Sequence, residues 1–304
     1  MNLQSSEYRS RARGSSVFLV GSSFSGSTLL GSSLSDEKVK FFGELDRWAP
    51  FKAHPRTHQI DACTVCNMLH KKIECPVFGE IKKVKAIAAV DIVQRYLSVV
   101  GRRSGVVIDG SKYVDWLAKL YDNGLMISRD IFAIIVCRNP VAFSFSNSGP
   151  MSVPYWESAV SWRETYQHAL RVLTHRRIPF IVVQYENIFN ITARNNISIS
   201  IGNLIGSRVK IDLNGSRENI HSLGGNLGSY INAFDIDKRS VENSKEFDEN
   251  ELWKFDYYKK LEPKESTRWV EIGRQNAVSL LSMPGIVDLC SILGYSIDDI
   301  LSYF

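Results

Sequence analysis

A turn rich in glycine and serine, GSSFSGST at residues 21–28, carries the clearest chemical signal in the sequence. It follows the apolar run at residues 17–20, which is typical of a buried strand, and it precedes a predicted helix. Between a strand and a helix, such a turn points successive backbone N–H groups inward and forms a pocket for an anion. The residues that would hold this anion are Ser25, Gly26, Ser27 and Thr28.

The turn differs in one position from the phosphate-binding loop G-x-x-x-x-G-K-[ST]. Ser27 stands where that loop has the lysine that reaches the β- and γ-phosphates of a nucleoside triphosphate. The sequence therefore favours a phosphate or sulfate site over phosphoryl transfer from a nucleoside triphosphate. Turns of this composition also join strands to helices without binding any ligand, so that alternative stays open.

Arg138 and Ser146 form a second candidate site. Arg138 directly follows residues 131–137, the most strand-like run in the chain, and ligands of open α/β sheets bind at strand ends of this kind. Pro140 suits the first turn of a helix that would carry Ser146. A guanidinium group with a nearby hydroxyl suits a terminal phosphate. The alternative is an arginine paired with a local carboxylate, with Ser146 as an ordinary helix residue.

Strands and helices that alternate along the chain must position these residues. Strands are predicted at residues 17–20, 39–42, 105–108, 131–137 and 179–185. Helices are predicted at residues 81–100, 113–121 and 156–174, after the turn at residues 21–28, from Pro140, and in a tail from Pro263. This alternation indicates a P-loop-like, doubly wound parallel α/β sheet flanked by helices. We expect a flexible arm at residues 1–15 and a single domain at residues 16–304, with a cysteine-containing insertion at 46–79 and a polar loop at 206–250.

The composition limits the function classes. The chain has 304 residues, of which 44% are hydrophobic and 23% charged, and a formal net charge of +5. A mean hydropathy of −0.12 and a pI near 8.9 suit a globular protein with an anionic ligand, and nucleic acid is not expected as a partner. No run approaches the roughly 18 apolar residues of a membrane helix, and the N-terminus has no apolar signal core. We therefore expect no transmembrane segment and a cytoplasmic protein.

Three of the five cysteines lie together in the predicted insertion. Cys63, Cys66 and Cys75 have three histidines nearby, and such a set could hold a structural zinc ion. A disulfide to Cys75 is less compatible with a reducing cytoplasm. Packed thiols without a metal are the third interpretation.

The glycine-serine turn and the RNP segment that begins at Arg138 together resemble the PAPS-dependent sulfotransferases, specifically bacterial sulfotransferase-family proteins and, more distantly, the tyrosylprotein sulfotransferases. In that family these two motifs hold the 5′-phosphosulfate and the 3′-phosphate of 3′-phosphoadenosine 5′-phosphosulfate (PAPS). The resemblance extends in order over about residues 16–295. Its other motifs are Gly43-Glu44-Leu45, Asp109-Gly110-Ser111-Lys112, Gln184-Tyr185-Glu186-Asn187, HSLGGN at residues 221–226 and Leu293-Gly294-Tyr295.

The resemblance implies roles for further residues. Glu44 would be the catalytic base, and Lys112 would stabilise the leaving group. Tyr185, Gly224 and Gly225 would join the turn, Arg138 and Ser146 in binding PAPS, the co-substrate. From the residues alone, Glu44 could instead cap a helix or pair with Arg47, and Lys112 could be a surface lysine.

The sequence departs from the family at Phe24, where Arg, Lys or His is usual. The implied function is transfer of a sulfuryl group from PAPS to a hydroxyl or amine of a carbohydrate, lipid or small molecule. The alternatives are a nucleotide- or sulfated-ligand-binding module without turnover, which Phe24 favours, and a P-loop kinase that lacks the usual lysine.

Overall fold

A computed structural model describes residues 14–34, 38–47, 63, 75, 91–101, 105–213 and 267–304. Its centre is a five-stranded sheet in which all strands are parallel, with the order β2-β3-β1-β4-β5. The strands are β1 (Ser15–Val20), β2 (Val39–Phe41), β3 (Val106–Lys112), β4 (Asp130–Cys137) and β5 (Phe180–Gln184). The sheet confirms the predicted doubly wound parallel α/β class.

Helices follow the strands along the chain and flank the sheet. They are α1 (Ser27–Ser33), α2 (Ile92–Val100), α3 (Val114–Asp122), α4 (Leu125–Ser128), α5 (Pro140–Met151), α6 (Tyr155–His175), α7 (Ile191–Ile205), α8 (Arg274–Leu281), α9 (Ile286–Ile292) and α10 (Ile297–Leu301). Short 3₁₀ helices lie at Leu45–Arg47, Glu186–Ile188 and Arg268–Ile272. Within these described ranges, no helix is both long enough and apolar enough to cross a bilayer.

Burial on both faces explains the composition of the central strands. β1 lies between β3 and β4, and all its residues are buried. The same holds for residues 133–137 of β4. Strands covered by helices on both sides read as continuous apolar runs rather than alternating ones, and this made them predictable.

Local signals place the helix that follows β4. Pro140 occupies its first turn, as predicted, and the side chain of Asn139 accepts a hydrogen bond of 2.8 Å from the backbone N–H of Ala142. Proline lacks the N–H that the first turn cannot use, and asparagine supplies the missing acceptor. Together they fix where α5 starts, directly after Arg138.

Several predicted boundaries differ from the structure. β1 begins at Ser15, inside the predicted arm, and β3 continues to Lys112 rather than ending at Ile108. α2 begins at Ile92 after an Asp91 cap, and residues 81–90 lie outside the described part. The predicted helical tail is three helices, and α7 was not predicted. Most of the predicted arm, insertion and polar loop also lies outside the described residues.

A buried arginine joins the amino ends of the strands. Arg129 is fully buried; its guanidinium donates to the Ser16 hydroxyl at 2.8 Å and to the backbone carbonyls of Ser15 (2.5 Å), Gly101 (2.7 Å) and Gly105 (3.0 Å). These contacts tie β1, the segment that enters β3 and the end of α2 together. Because a guanidinium is a strong donor and the Ser15 carbonyl and Ser16 hydroxyl that it contacts are buried, Arg129 stabilises the sheet at the edge opposite the candidate site.

Candidate functional site

The carboxyl edge of the sheet gathers the predicted site residues. The turn at 21–28 follows β1, Glu44 follows β2, and Lys112 ends β3. Arg138 and Tyr185 follow β4 and β5 directly. Because all five strands are parallel, their carboxyl ends meet at one edge, and open α/β sheets bind ligands there.

The glycine-serine turn holds a buried hydroxyl without a partner. Ser25 is fully buried, and among the described residues its Oγ has no hydrogen-bond partner. Phe24 and Gly26 both have positive φ, 62° and 86°. A left-handed phenylalanine is unfavourable by roughly 1–2 kcal/mol, and such strain concentrates at ligand sites. An unpartnered buried donor in a strained turn fits a loop shaped to hold a ligand oxygen.

Arg138 and Ser146 lie together, as predicted from the helix that starts at Pro140. The Arg138 guanidinium donates to Ser146 Oγ at 2.9 Å, while its buried Nε has no hydrogen-bond partner among the described residues. No carboxylate in the described ranges pairs with Arg138. The interpretation of a local ion pair is therefore not supported, and the guanidinium retains donors for an anion.

The ring of Tyr185 contacts both the glycine-serine turn and Arg138. The guanidinium carbon of Arg138 lies 4.9 Å from the centre of this ring, a cation–π contact. The ring also lies against Gly26, where any Cβ would overlap Tyr185 Cδ2. Both this contact and the positive φ require glycine at position 26. Tyr185 thus holds the turn and Arg138 at a fixed separation.

Glu44 and Lys112 form an ion pair beside the turn. Lys112 Nζ lies 2.5 Å from Glu44 Oε1, and the two side chains are 14% and 6% exposed. Lys112 is therefore not the surface lysine of the alternative interpretation. Its backbone has a φ of 67°, and its carbonyl accepts a bond of 3.0 Å from the N–H of Gly21. A carboxylate and a cation are thereby placed together next to the glycine-serine turn.

Asp109 orients the segment that carries Lys112. Its carboxylate accepts hydrogen bonds from the Ser111 backbone N–H (2.9 Å), the Ser111 hydroxyl and Trp116 Nε1 (2.8 Å). Ser111 Oγ in turn accepts from the N–H of Asp46, within the 3₁₀ helix that follows Glu44. Burial raises the pKa of Asp109 to about 6, and these hydrogen bonds oppose the rise. The carboxylate thus links the two strand ends that carry the ion pair.

Glu186 connects two motifs that the sequence shows only as separate matches. Its Oε1 accepts from the backbone N–H (2.9 Å) and the side-chain amide (3.1 Å) of Asn139, and its Oε2 accepts from the Tyr295 hydroxyl (2.9 Å). Gln184 Nε2 also donates to the Leu293 carbonyl at 3.2 Å. The C-terminal helices therefore support the residue that follows Arg138.

Three of the predicted site residues, Cys66, Gly224 and Gly225, lie outside the described residues. Cys63 and Cys75 are both buried. In the described part of the chain, no group of three or more His, Cys, Asp or Glu residues is arranged to hold a metal ion. The structure thus gives the zinc hypothesis no support, and it stays a prediction.

Comparisons with known proteins agree with this architecture. No protein-family model matches the sequence, and no curated protein sequence matches it. A sulfotransferase domain from the curacin biosynthetic pathway superposes with a TM-score of 0.52 at 16% identity, covering 93% of this chain and 98% of that domain.

Two other solved structures match less well. The sulfotransferase domain of the Synechococcus PCC 7002 olefin synthase gives a TM-score of 0.47 at 17% identity, covering 89% of this chain and 94% of that domain. A sulfotransferase from Alicyclobacillus acidocaldarius gives 0.35 at 12% identity, covering 85% and 99%. From the parallel sheet and the likeness to the curacin-pathway domain, we conclude that the chain has the sulfotransferase fold.

Proposed function

We propose that the protein is a sulfotransferase that moves a sulfuryl group from PAPS to a hydroxyl or amine of a carbohydrate, lipid or small-molecule acceptor. One observation carries the proposal: two groups suited to phosphate or sulfate lie at one edge of the sheet, fixed by one ring. The turn supplies Ser25, whose hydroxyl has no partner within the described ranges, and Arg138 supplies a guanidinium held by Ser146. Tyr185 contacts both.

In this proposal the two groups bind opposite ends of the nucleotide. The backbone N–H groups and hydroxyls of Ser25, Gly26, Ser27 and Thr28 hold the 5′-phosphosulfate, and Arg138 with Ser146 holds the 3′-phosphate. A planar guanidinium binds phosphate through paired charge-assisted hydrogen bonds. A nucleotide with phosphates at both positions satisfies both sites at once, whereas a triphosphate chain offers nothing to Arg138.

Glu44 and Lys112 carry the transfer step. The acceptor oxygen or nitrogen attacks sulfur and gives its proton to Glu44, while the bond from sulfur to the bridging oxygen breaks. The electron pair of that bond stays on the leaving adenosine 3′,5′-bisphosphate, where Lys112 stabilises the developing charge. Proton transfer and a positioned cation are the main contributions that a protein makes to such a step.

Phe24 is the specific feature that supports a second function. The family places a cation at this position beside the phosphosulfate, and phenylalanine cannot neutralise charge there. A module that binds the nucleotide, or a sulfated ligand, without turnover is therefore the second candidate. In an enzyme, Lys112 beside the turn would compensate for the missing cation at position 24.

Incubation with sulfur-labelled PAPS and a panel of carbohydrate, lipid and small-molecule acceptors tests the proposal. Chromatography then measures labelled product and adenosine 3′,5′-bisphosphate. We expect both to form in equal amounts with at least one acceptor, and the matched variant Glu44→Gln to bind the bisphosphate but form neither product. Thermal stabilisation by the bisphosphate with no turnover on the whole panel favours the binding module. Stabilisation by ATP with Mg²⁺ but not by PAPS overturns both.

A further inference from the structure

A second buried tyrosine, Tyr166 on α6, lies beneath the glycine-serine turn. It is fully buried, and its ring packs edge to face on Trp162 with the ring centres 5.2 Å apart. The hydroxyl lies 2.8 Å from the carbonyl oxygen of Val136, and 3.1 Å and 3.4 Å from the Oγ and backbone N of Ser22. No motif in the sequence pointed to this residue.

Chemistry fixes the direction of these hydrogen bonds. A carbonyl oxygen only accepts, so the single phenolic hydrogen of Tyr166 is donated to Val136. The hydroxyl and the N–H of Ser22 therefore both donate to the phenolic oxygen. Burial raises the pKa of the Tyr166 phenol well above its ordinary value, so the group stays a neutral donor. Ser22 is thus held at two atoms by one hydroxyl.

The position of Val136 explains why a side chain is needed here. The last pair between β1 and β4 is Val20 with Ile135, and the chain then leaves the sheet at Gly21. Val136 lies one residue beyond that pair, and a Cβ on Gly21 would overlap its carbonyl oxygen. The Tyr166 hydroxyl continues the hydrogen bonding of the sheet at the point where the turn departs.

The contact extends to the ligand side of the turn through Ser22. The N–H of Ser25 donates to the carbonyl of Ser22 at 3.4 Å. A Cβ built on Gly21 would lie 3.2 Å from Ser25 Oγ and 3.4 Å from the Tyr166 hydroxyl, so both oxygens lie on the same side of Gly21. A displacement of Ser22 would therefore move Ser25, whose hydroxyl has no partner among the described residues.

We propose that Tyr166 is a positioning residue for the glycine-serine turn: its hydroxyl holds Ser22 and thereby sets Ser25 and the following N–H groups for the 5′ end of the nucleotide. The inference rests on the proposed function and adds a residue to its donor site. It predicts that removing the hydroxyl weakens the binding of ligands with a 5′-phosphate and not of 3′-AMP, because the structure shows no contact between this hydroxyl and the Arg138 side chain.

Calorimetric titration with adenosine 3′,5′-bisphosphate, 5′-AMP and 3′-AMP tests the assignment in Tyr166→Phe. This variant keeps the ring on Trp162 and removes only the hydroxyl. We expect the dissociation constants of the bisphosphate and of 5′-AMP to rise about 3- to 10-fold, as for one or two neutral hydrogen bonds, and that of 3′-AMP to stay unchanged. Ser22→Ala removes only the hydroxyl bond and keeps the N–H bond, so it should produce a smaller loss with the same selectivity. The double variant should lose little more than Tyr166→Phe alone, because the phenolic hydroxyl is common to both bonds.

Tyr295→Phe is the matched control, since it removes another phenolic hydroxyl, on a partly buried tyrosine that supports the Arg138 side through Glu186. It should leave the affinity for 5′-AMP unchanged. An equal loss for all three ligands in Tyr166→Phe, or no loss for any, overturns the assignment to the turn. If the wild-type protein binds none of the three nucleotides, the proposed function fails and the role of Tyr166 fails with it.

Discussion

Replacing Arg138 with alanine separates the two halves of the proposed nucleotide site. The guanidinium donates to Ser146 Oγ at 2.9 Å, and its carbon lies 4.9 Å from the centre of the Tyr185 ring. One hydrogen bond and one partly exposed cation–π contact are together worth about 1–2 kcal/mol. We therefore expect the Arg138→Ala variant to fold, with only that modest loss in the free energy of unfolding.

The loss in binding should be larger and confined to the 3′-phosphate. A hydrogen bond to a charged group contributes about 1.5–3 kcal/mol, and the guanidinium offers more than one such bond to phosphate. A total of about 2–4 kcal/mol corresponds to a roughly 30- to 700-fold rise in the dissociation constant of adenosine 3′,5′-bisphosphate. The affinity for 5′-AMP, which has no 3′-phosphate, should change little.

Calorimetric titration of both nucleotides into wild-type and variant protein measures this difference. Arg176→Ala is the matched control: it removes the same charge from the surface pair with Asp122, where the guanidinium lies 2.6 Å from the carboxylate. It should leave both affinities unchanged. Equal affinity of wild type and Arg138→Ala for the bisphosphate would refute the assignment of Arg138 to a phosphate, and equal losses for both nucleotides would show a general distortion of the site.

Three further variants test other parts of the molecule. Phe24→Arg should bind the bisphosphate as tightly as wild type or more tightly, because it restores a cation to the turn; a collapse of affinity in titration would show that the phenyl ring has its own contact role. Arg129→Met should lower the free energy of unfolding in urea by about 3–5 kcal/mol, because it removes the charged donor of the buried Ser15 carbonyl and Ser16 hydroxyl and of two further carbonyls; a loss below about 1 kcal/mol argues against this role. Because burial raises the pKa of Asp109 from 3.8 to about 6, the stability it contributes is full below about pH 4 and is lost as the pH rises through 6. The difference in unfolding free energy between wild type and Asp109→Asn should therefore fall by roughly 2 kcal/mol from pH 4 to 7, and a difference that does not vary with pH would contradict the raised pKa of Asp109.

The sequence indicates the sheet and one half of the site because the signals are local. Apolar runs predict strands that are buried on both faces, and a polar residue directly after each run falls at the carboxyl edge. Arg138 and Ser146 are close in sequence, with Pro140 fixing the start of the helix between them. Helical geometry alone then brings the guanidinium and the hydroxyl together.

Contacts between distant residues were not predictable in the same way. Lys112 and Glu44 are 68 residues apart, and Ser22 and Tyr166 are 144 apart. The strand order brings the first pair together, and the packing of α6 beneath the turn brings the second pair together. The end of β3 was also misplaced. Gly110 and Ser111 are residue types typical of a turn. In the structure β3 nevertheless continues through them as far as Lys112, and Ser111 donates a hydrogen bond to the buried Asp109 carboxylate.

The C-terminal helices show a different limit. The sequence after Pro263 predicts a helical tail. Gly273, Gly285 and Gly294, all with positive φ, instead divide the described part into the 3₁₀ helix Arg268–Ile272, α8, α9 and α10. A single glycine in a helical pattern does not reveal its φ. Tertiary packing decides whether the chain continues or turns there.

Equilibrium binding of three nucleotides to the wild-type protein tests the central claim most directly. Titration calorimetry with adenosine 3′,5′-bisphosphate, 5′-AMP and ATP with Mg²⁺ compares a ligand for both sites with ligands that lack the 3′-phosphate. Because Arg138 and Ser146 are assigned to the 3′-phosphate, we expect the bisphosphate to bind at least about 30-fold more tightly than 5′-AMP, and more tightly than ATP. Tighter binding of ATP with Mg²⁺ than of the bisphosphate would contradict the assignment of this edge of the sheet to PAPS.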